Sequence, residues 1–414
     1  MRKIDFSGVE ANEQGKKEFS NALEEVLREG AQAMLKQAIE TEVNEYIQAH
    51  AEEKDNKGHQ GVIRNGYHAE REIVTGLGKV KVKVPRAYNR NKQESFTSQI
   101  LPPYLRRLPS INNLIPMLYL KGISTNDFPR ALEAILGSQT RGLSAANIVR
   151  LKQKWESEYK AWRRRELSEK EYVYWWVDGI YFNVRLDDER QCILILIGAT
   201  ADGKKELVAV SDGYRESKQS WREVLLDLKA RGLKSFAKLA IGDGALGFWA
   251  ALREVSPKTK EQRCWVHKTA NILDKMPTSV QAKAKTMIHE MYMAETKEQA
   301  LGAYALFIDS YQTKFPKATE CLIKDKEVLF TFYEFPALSW PHLRTTNPIE
   351  STFATVRLRT KKTKGCGSRI ATLTMVFQLI REAQRKWRTL RGHKLIEAVI
   401  KGKTFIDGIL KEAA

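Results

Sequence analysis

The feature that most constrains the fold is a run of extended segments carrying apolar residues on both faces. Glu171-Tyr-Val-Tyr-Trp-Trp-Val-Asp178-Gly-Ile-Tyr-Phe-Asn-Val-Arg185 is followed by Cys192-Ile-Leu-Ile-Leu-Ile-Gly-Ala-Thr200 and by Glu206-Leu-Val-Ala-Val210. A strand buried on both faces needs a layer above and a layer below, so these segments belong inside an α/β fold rather than on a solvated sheet. An amphipathic helix from Ser217 to Arg231 and a fourth strand, Ala237 to Asp243, come next. Asp178 interrupts the first apolar run. An ionised carboxylate there is costly unless a cation or strong donors compensate it. An Asp bonding a turn at a strand end is the structural alternative, weakened because the apolar run resumes as Ile180-Tyr-Phe182.

Three strands in a meander, a helix and then a further strand is the order of a ribonuclease-H-like α/β core. Asp243 ends the fourth strand and precedes Gly244 and the apolar helix Leu246 to Val255, a place where Asp is also an ordinary helix N-cap. In an open α/β sheet ligands bind at the carboxyl ends of strands, and a parallel neighbour would set Asp243 beside Asp178. Two such carboxylates suit Mg2+, a hard ion that takes one or two protein carboxylates plus water and phosphate oxygens. Two ions about 3.5–4 Å apart, with Mn2+ able to substitute, can activate a nucleophile and stabilise the leaving oxygen of a phosphoryl displacement. Glu350 is the candidate third carboxylate. It follows Asn347-Pro348, so it is equally a candidate capping-box Glu at the start of a helix.

The flanking sequence divides into a helical N-terminal arm (1–60), a basic strand region (61–105), a helix-turn-helix-like region (106–168), the core in two parts (169–256 and 341–395), a helical insertion (257–340) and a C-terminal helix (396–414). In the arm, Phe19, Leu23, Val26, Met34, Ile39, Val43 and Tyr46 recur at helical spacing, which predicts a packing or dimerisation face. Lysine and arginine number 69 against 50 acids, a net charge of +19, and that excess favours a polyanionic partner such as nucleic acid. Lys79, Lys81 and Lys83 alternate with valines, and with Arg86 they sit in a stretch from Lys79 to Lys92 that holds six bases and no acid. Lysines at two-residue spacing in a strand lie about 7 Å apart, close to the phosphate spacing of a nucleic-acid strand; an ordinary solvated strand face is the equal alternative. Ser144 caps a helix that places Asn147 and Arg150 on one side, as the recognition helix of a helix-turn-helix would, although three-helix units that merely pack are common. From Arg357 to Lys394, including Arg359, Lys361 and Lys362, there are twelve bases and one acid, the composition of a DNA-lining surface. The sequence shows no apolar span long enough for a membrane, and four cysteines exclude a disulfide framework. A cytoplasmic, nucleoid-associated protein is expected.

Asp178-Gly-Ile-Tyr, Gly242-Asp-Gly-Ala-x-Gly-Phe, Cys264-x-x-His267 and Thr346-Asn-Pro-Ile-Glu350 with its trailing Arg-x-Arg occur in this order, after Arg64-Asn-Gly-Tyr-His and the Lys-Val strand. Together, from Gly61 to Arg359, they resemble the Mutator-type transposases of bacterial insertion sequences, a DDE family with a ribonuclease-H-like core. The resemblance implies that Asp178, Asp243 and Glu350 are the metal-binding catalytic triad, that an all-helical insertion separates the last two, and that Cys264 and His267 belong to the active-site surroundings. Zinc is disfavoured for that pair, because Cys321, His289 and His342 have no finger-like spacing to it. The implied activity is Mg2+-dependent cleavage of double-stranded DNA at terminal inverted repeats, then attack of the freed 3′-hydroxyl on target DNA by a homodimer or higher assembly, with a leaning toward a replicated circle. A ribonuclease-H-like nuclease or resolvase, and a non-catalytic DNA-binding regulator, are the competing readings.

Overall fold

The computed structural model describes residues 13–54, 58–75, 78–90, 94–103, 105, 145–184, 190–244, 246–362 and 368–411. Residues 106–144 of the helix-turn-helix-like region lie outside the described residues, as do the side chains of Asn147, Arg359, Lys361 and Lys362. The chain forms two compact units, Met1–Arg150 and Leu151–Ala414.

In the first unit one helix, α1 (Glu13–Ala49), supplies Ile39 and Val43 to two small sheets. One is the hairpin of β2 (Arg71–Thr75) and β3 (Gly78–Val82); the other joins β1 (Val62–Tyr67), β4 (Pro85–Asn89) and β5 (Glu94–Ser95). Strict alternation does what the sequence requires: Val80, Val82 and Val84 are buried with Ile39 and Ile73, while Lys81 and Lys83 are exposed. The hairpin register also brings Glu72 to Lys79 at 2.8 Å, so one charge of the expected lysine row is already partnered. Arg86 is exposed and its Nε donates to the Asn65 carbonyl.

The second unit is built on a five-stranded sheet in the order β10-β9-β6-β7-β8. Its strands are β6 (Tyr172–Phe182), β7 (Gln191–Thr200), β8 (Lys205–Gly213), β9 (Leu239–Gly242) and β10 (Lys260–Arg263). The first three form an antiparallel meander, and β9 runs parallel to β6. Helix α2 (Ala145–Arg163) precedes the sheet, and its second half packs there: Tyr159 donates to the Val210 carbonyl and stacks edge-on against Phe377. The helix expected to read DNA thus gives its C-terminal half to this core, and of the two residues expected to contact bases only Arg150, exposed, has a described side chain. Helix α3 (Lys218–Ala230) starts where the Ser217 side chain accepts from the Ser220 amide, a cap worth about 1 kcal/mol over alanine. Its buried Trp221, Val224, Leu225 and Leu228 fall at helical spacing, each burial contributing about 2 kcal/mol. They meet Trp175, Val177 and Leu196 of the sheet and Phe248, Trp249 and Leu252 of α4 (Leu246–Val255) in one core.

Two elements differ from the sequence reading. Lys260–Arg263, placed there at the start of the helical insertion, is a strand paired in parallel with β9. It has no apolar alternation because backbone pairing holds this edge, and its fully buried Gln262 is satisfied by the Leu329 carbonyl and the Phe332 amide. Helices then follow: α5 (Trp265–Leu273), α6 (Thr278–Met293), α7 (Lys297–Tyr311), α8 (Pro316–Ile323), α9 (Lys326–Leu329) and α10 (Trp340–Leu343). Beyond them, α11 (Asn347–Lys362) and α12 (Arg369–Gln384) return to the sheet, where Gln384 accepts from the Leu207 amide of β8. The expected C-terminal helix over 396–414 is only α13 (Ile396–Ile400), followed by a hairpin of β11 (Phe405–Ile406) and β12 (Ile409–Leu410). Its loop is Asp407-Gly408 with positive φ at both residues, a two-residue turn that reverses the chain and that no helix can contain.

Candidate active site

The parallel pairing of β6 with β9 matches Val177 to Gly242, so the next residues, Asp178 within β6 and Asp243 just past the end of β9, arrive side by side. Asp178 is 8% exposed and accepts a 2.8 Å hydrogen bond from the Gly179 amide. The third member of the group is Glu216, from the connection between β8 and α3. Carboxylate oxygens of Asp178, Glu216 and Asp243 lie within 4.8 Å of one another. Burial first, then the charges of Asp243 and Glu216, hold the Asp178 carboxyl well above the usual range. Burial and Asp243 raise Glu216 to about 7. Like charges this close favour the protonated form unless a cation joins them.

Sequence reasoning missed Glu216. In Gly213-Tyr-Arg-Glu-Ser217 it reads as a solvated acid before a helix cap. What turns it inward is visible only in the fold: Arg215 has φ 58, a left-handed conformation costing an L-residue on the order of 1–2 kcal/mol. Two glycines make the room. A Cβ on Gly179 would lie 2.5 Å from the Glu216 Cδ, and one on Gly247 would lie 2.0 Å from the Glu216 carbonyl oxygen.

Glu350 stands in the first turn of α11, where it is paired differently from either expectation. Its Oε1 is 3.0 Å from His267 Nε2 and accepts from Thr346 Oγ1 at 3.3 Å. The capping box is not made, since the Asn347 amide donates to Thr345 Oγ1 instead. Nor does Glu350 belong to the group of carboxylates within 4.8 Å. The Cys264–His267 pair is part of the same cluster: the Thr346 amide donates to Cys264 Sγ at 3.3 Å, and the Thr346 Oγ1 that serves Glu350 also lies 3.3 Å from Cys264 Sγ and 3.4 Å from His267 Nδ1. The Cys264 sulfur, against the effect of burial, and then Glu350 and Asp178 raise the His267 pKa, favouring an imidazolium between the carboxylates. Trp265, between the pair, is fully buried and donates to the Leu329 carbonyl, so it is a core residue. Beside the acids opens a cleft of about 430 Å³ lined by Tyr181, Glu216, Asp243, Arg263, His267 and Lys324 among others. The Arg263 guanidinium lies 4.3 Å from the Trp249 ring centroid and donates to the Asp243 carbonyl. Arg357, on α11, is exposed.

Over residues 5–389 the sequence matches the family described as "Transposase, Mutator family". The chain belongs to that family. The transposase for insertion sequence element IS6120 of Mycolicibacterium smegmatis is 52% identical over 302 residues, covering 73% of this chain and 93% of that one. The transposase for element IST2 of Acidithiobacillus ferrooxidans is 49% identical over 67% of this chain and 94% of its own length. The magnesium complex of the HTLV-2 integrase catalytic core domain aligns with 45% of this chain and 99% of its own, at 14% identity and a TM-score of 0.17, too slight a likeness to bear on the fold. Among the described residues of this transposase no helix is long and apolar enough to cross a membrane.

Proposed function

We propose that this transposase is a DDE-type enzyme with a ribonuclease-H-like core, which cuts DNA at the ends of its element and joins the freed 3′-hydroxyl to a target strand. The observation that carries the reading is the register that sets Asp178, inside β6, beside Asp243, just past the end of the parallel strand β9. The strand order supports it, with a three-stranded antiparallel meander, a helix, and a fourth strand laid parallel against the first. The donors fit a hard divalent cation: they are carboxylate oxygens, and Oε2 of Glu216 is buried without a hydrogen-bond partner. Asp178 and Asp243 would hold Mg2+, with Glu350 as the third acid of the triad. When bound, the ion would polarise the attacking oxygen and offset charge at the scissile phosphate. The protein's own share is positioning. His267 and Thr346 fix the Glu350 carboxylate, and the buried strands keep Asp178 out of bulk water, where its charge acts more strongly. Because two element ends must meet, a dimer or higher assembly on DNA is part of the proposal.

A duplex carrying the element ends tests this. With Mg2+ or Mn2+ the purified protein should nick at those ends and yield joined products, and chelator should abolish both; full cleavage in chelator would overturn the metal-dependent reading. The basic strand region gives a separate expectation. Replacing Lys81 and Lys83 by Gln should lower the slope of log affinity against log salt by about 2, one step of roughly 0.9 per phosphate contact. Lys79→Gln should add less, because Glu72 already holds that ammonium. An unchanged slope in the double variant would make the strand an ordinary solvated face.

A further inference from the structure

We propose that Glu216 is a ligand of the divalent cation, closing with Asp178 and Asp243 the metal site of the protein before DNA arrives. The proposal rests on the metal-dependent reading above and adds a residue that the triad does not contain. Three observations carry it. The carboxylate lies with Asp178 and Asp243 inside a 4.8 Å group, whereas Glu350 is engaged by His267 at 3.0 Å. Oε2 of Glu216 is buried with no hydrogen-bond partner. A buried acid kept for structure would have both oxygens satisfied, since an unmet buried acceptor is destabilising. Finally, the chain goes out of its way to place this side chain. Arg215 takes a left-handed backbone immediately before it, and Gly179 and Gly247 vacate the space that its side chain and its carbonyl occupy.

The arrangement divides the acids by role. Asp178, Asp243 and Glu216 are fixed by the sheet and by the connection into α3, so they form a preassembled oxygen cage. Glu350, on a separate helix with its Oε1 3.0 Å from His267 Nε2, is the acid whose engagement with metal depends on that contact being given up. Glu216 is therefore the residue that lets the protein load its cation without nucleic acid.

The test is Mn2+ binding to the full-length protein without DNA, followed by electron paramagnetic resonance of the free ion. Glu216→Gln should weaken Mn2+ binding by about tenfold or more, and by more than Glu350→Gln does. In chelator its thermal midpoint should equal or exceed that of the wild type, because one of three mutually repelling acids is gone. Should that midpoint fall instead, Glu216→Asp, which keeps the charge but withdraws it by one methylene, should show a comparable loss of Mn2+ affinity. Asp178→Asn separates the two readings. If Asp178→Asn loses the metal while both Glu216 variants bind within twofold of wild type, the Glu216 assignment is overturned and the metal site stands. If Asp178→Asn also binds like the wild type, the metal-dependent reading fails and the Glu216 assignment fails with it.

Discussion

Asp178→Asn and Asp243→Asn should each reduce strand cleavage by about three orders of magnitude or more, on the order of 4 kcal/mol in the barrier. DNA affinity should stay near that of the wild type, because the basic surfaces are untouched. The same Asp178 variant has a second expected effect, on stability. In metal-free protein, burial and the neighbouring acids raise the folded-state pKa of Asp178 above its unfolded value. Folding then favours the protonated form, so this group's contribution is present at low pH and is lost as pH rises from its unfolded pKa toward the raised folded one. Wild-type protein in chelator should become less stable as pH climbs through that window, and Asp178→Asn, which cannot ionise, should flatten the slope. Thermal midpoints measured in chelator across that range check the sign. Wild-type cleavage by either Asn variant would remove that residue from the site.

What the sequence disclosed of this site depended on how a residue contrasts with its neighbours. Asp178 is legible because it breaks an apolar strand, and Asp243 because it ends another. Their adjacency follows from one parallel pairing. Glu216 offers no such contrast: an acid in a polar connection looks like any other, and only Arg215, Gly179 and Gly247 acting together turn it inward. The same distinction explains the fold. The meander and α3 were written in apolar periodicity, while β10 is polar throughout and is a strand only because β9 offers it a backbone edge. The C-terminal hairpin did carry a local signal, Asp407-Gly408, which the apolar residues around it disguised as helix. The lysine row was legible as a strand face, but its partial neutralisation by Glu72 required the β2–β3 register.

Glu350→Gln should lose cleavage by about a hundredfold to a thousandfold while keeping its fold. Two readings of this residue make different predictions because the quantities involved differ in size. The pair with His267 is about one-third exposed on both sides, and such an ion pair is worth about 1 kcal/mol or less. In a unit of this size that shifts the thermal midpoint by only about 2–4 °C. A Gln side chain can still accept from Thr346 Oγ1, so the local hydrogen bonding survives the change. If Glu350 served only to hold the start of α11 against α5, the variant would show a small loss of stability and nearly full cleavage. If it is the third acid of the reaction, the loss of its charge acts where phosphoryl charge develops, and the kinetic effect outweighs the stability effect by several-fold in free energy. Cleavage rate and melting temperature measured on the same preparation decide between them, and cleavage within tenfold of wild type would reduce Glu350 to the partner of His267.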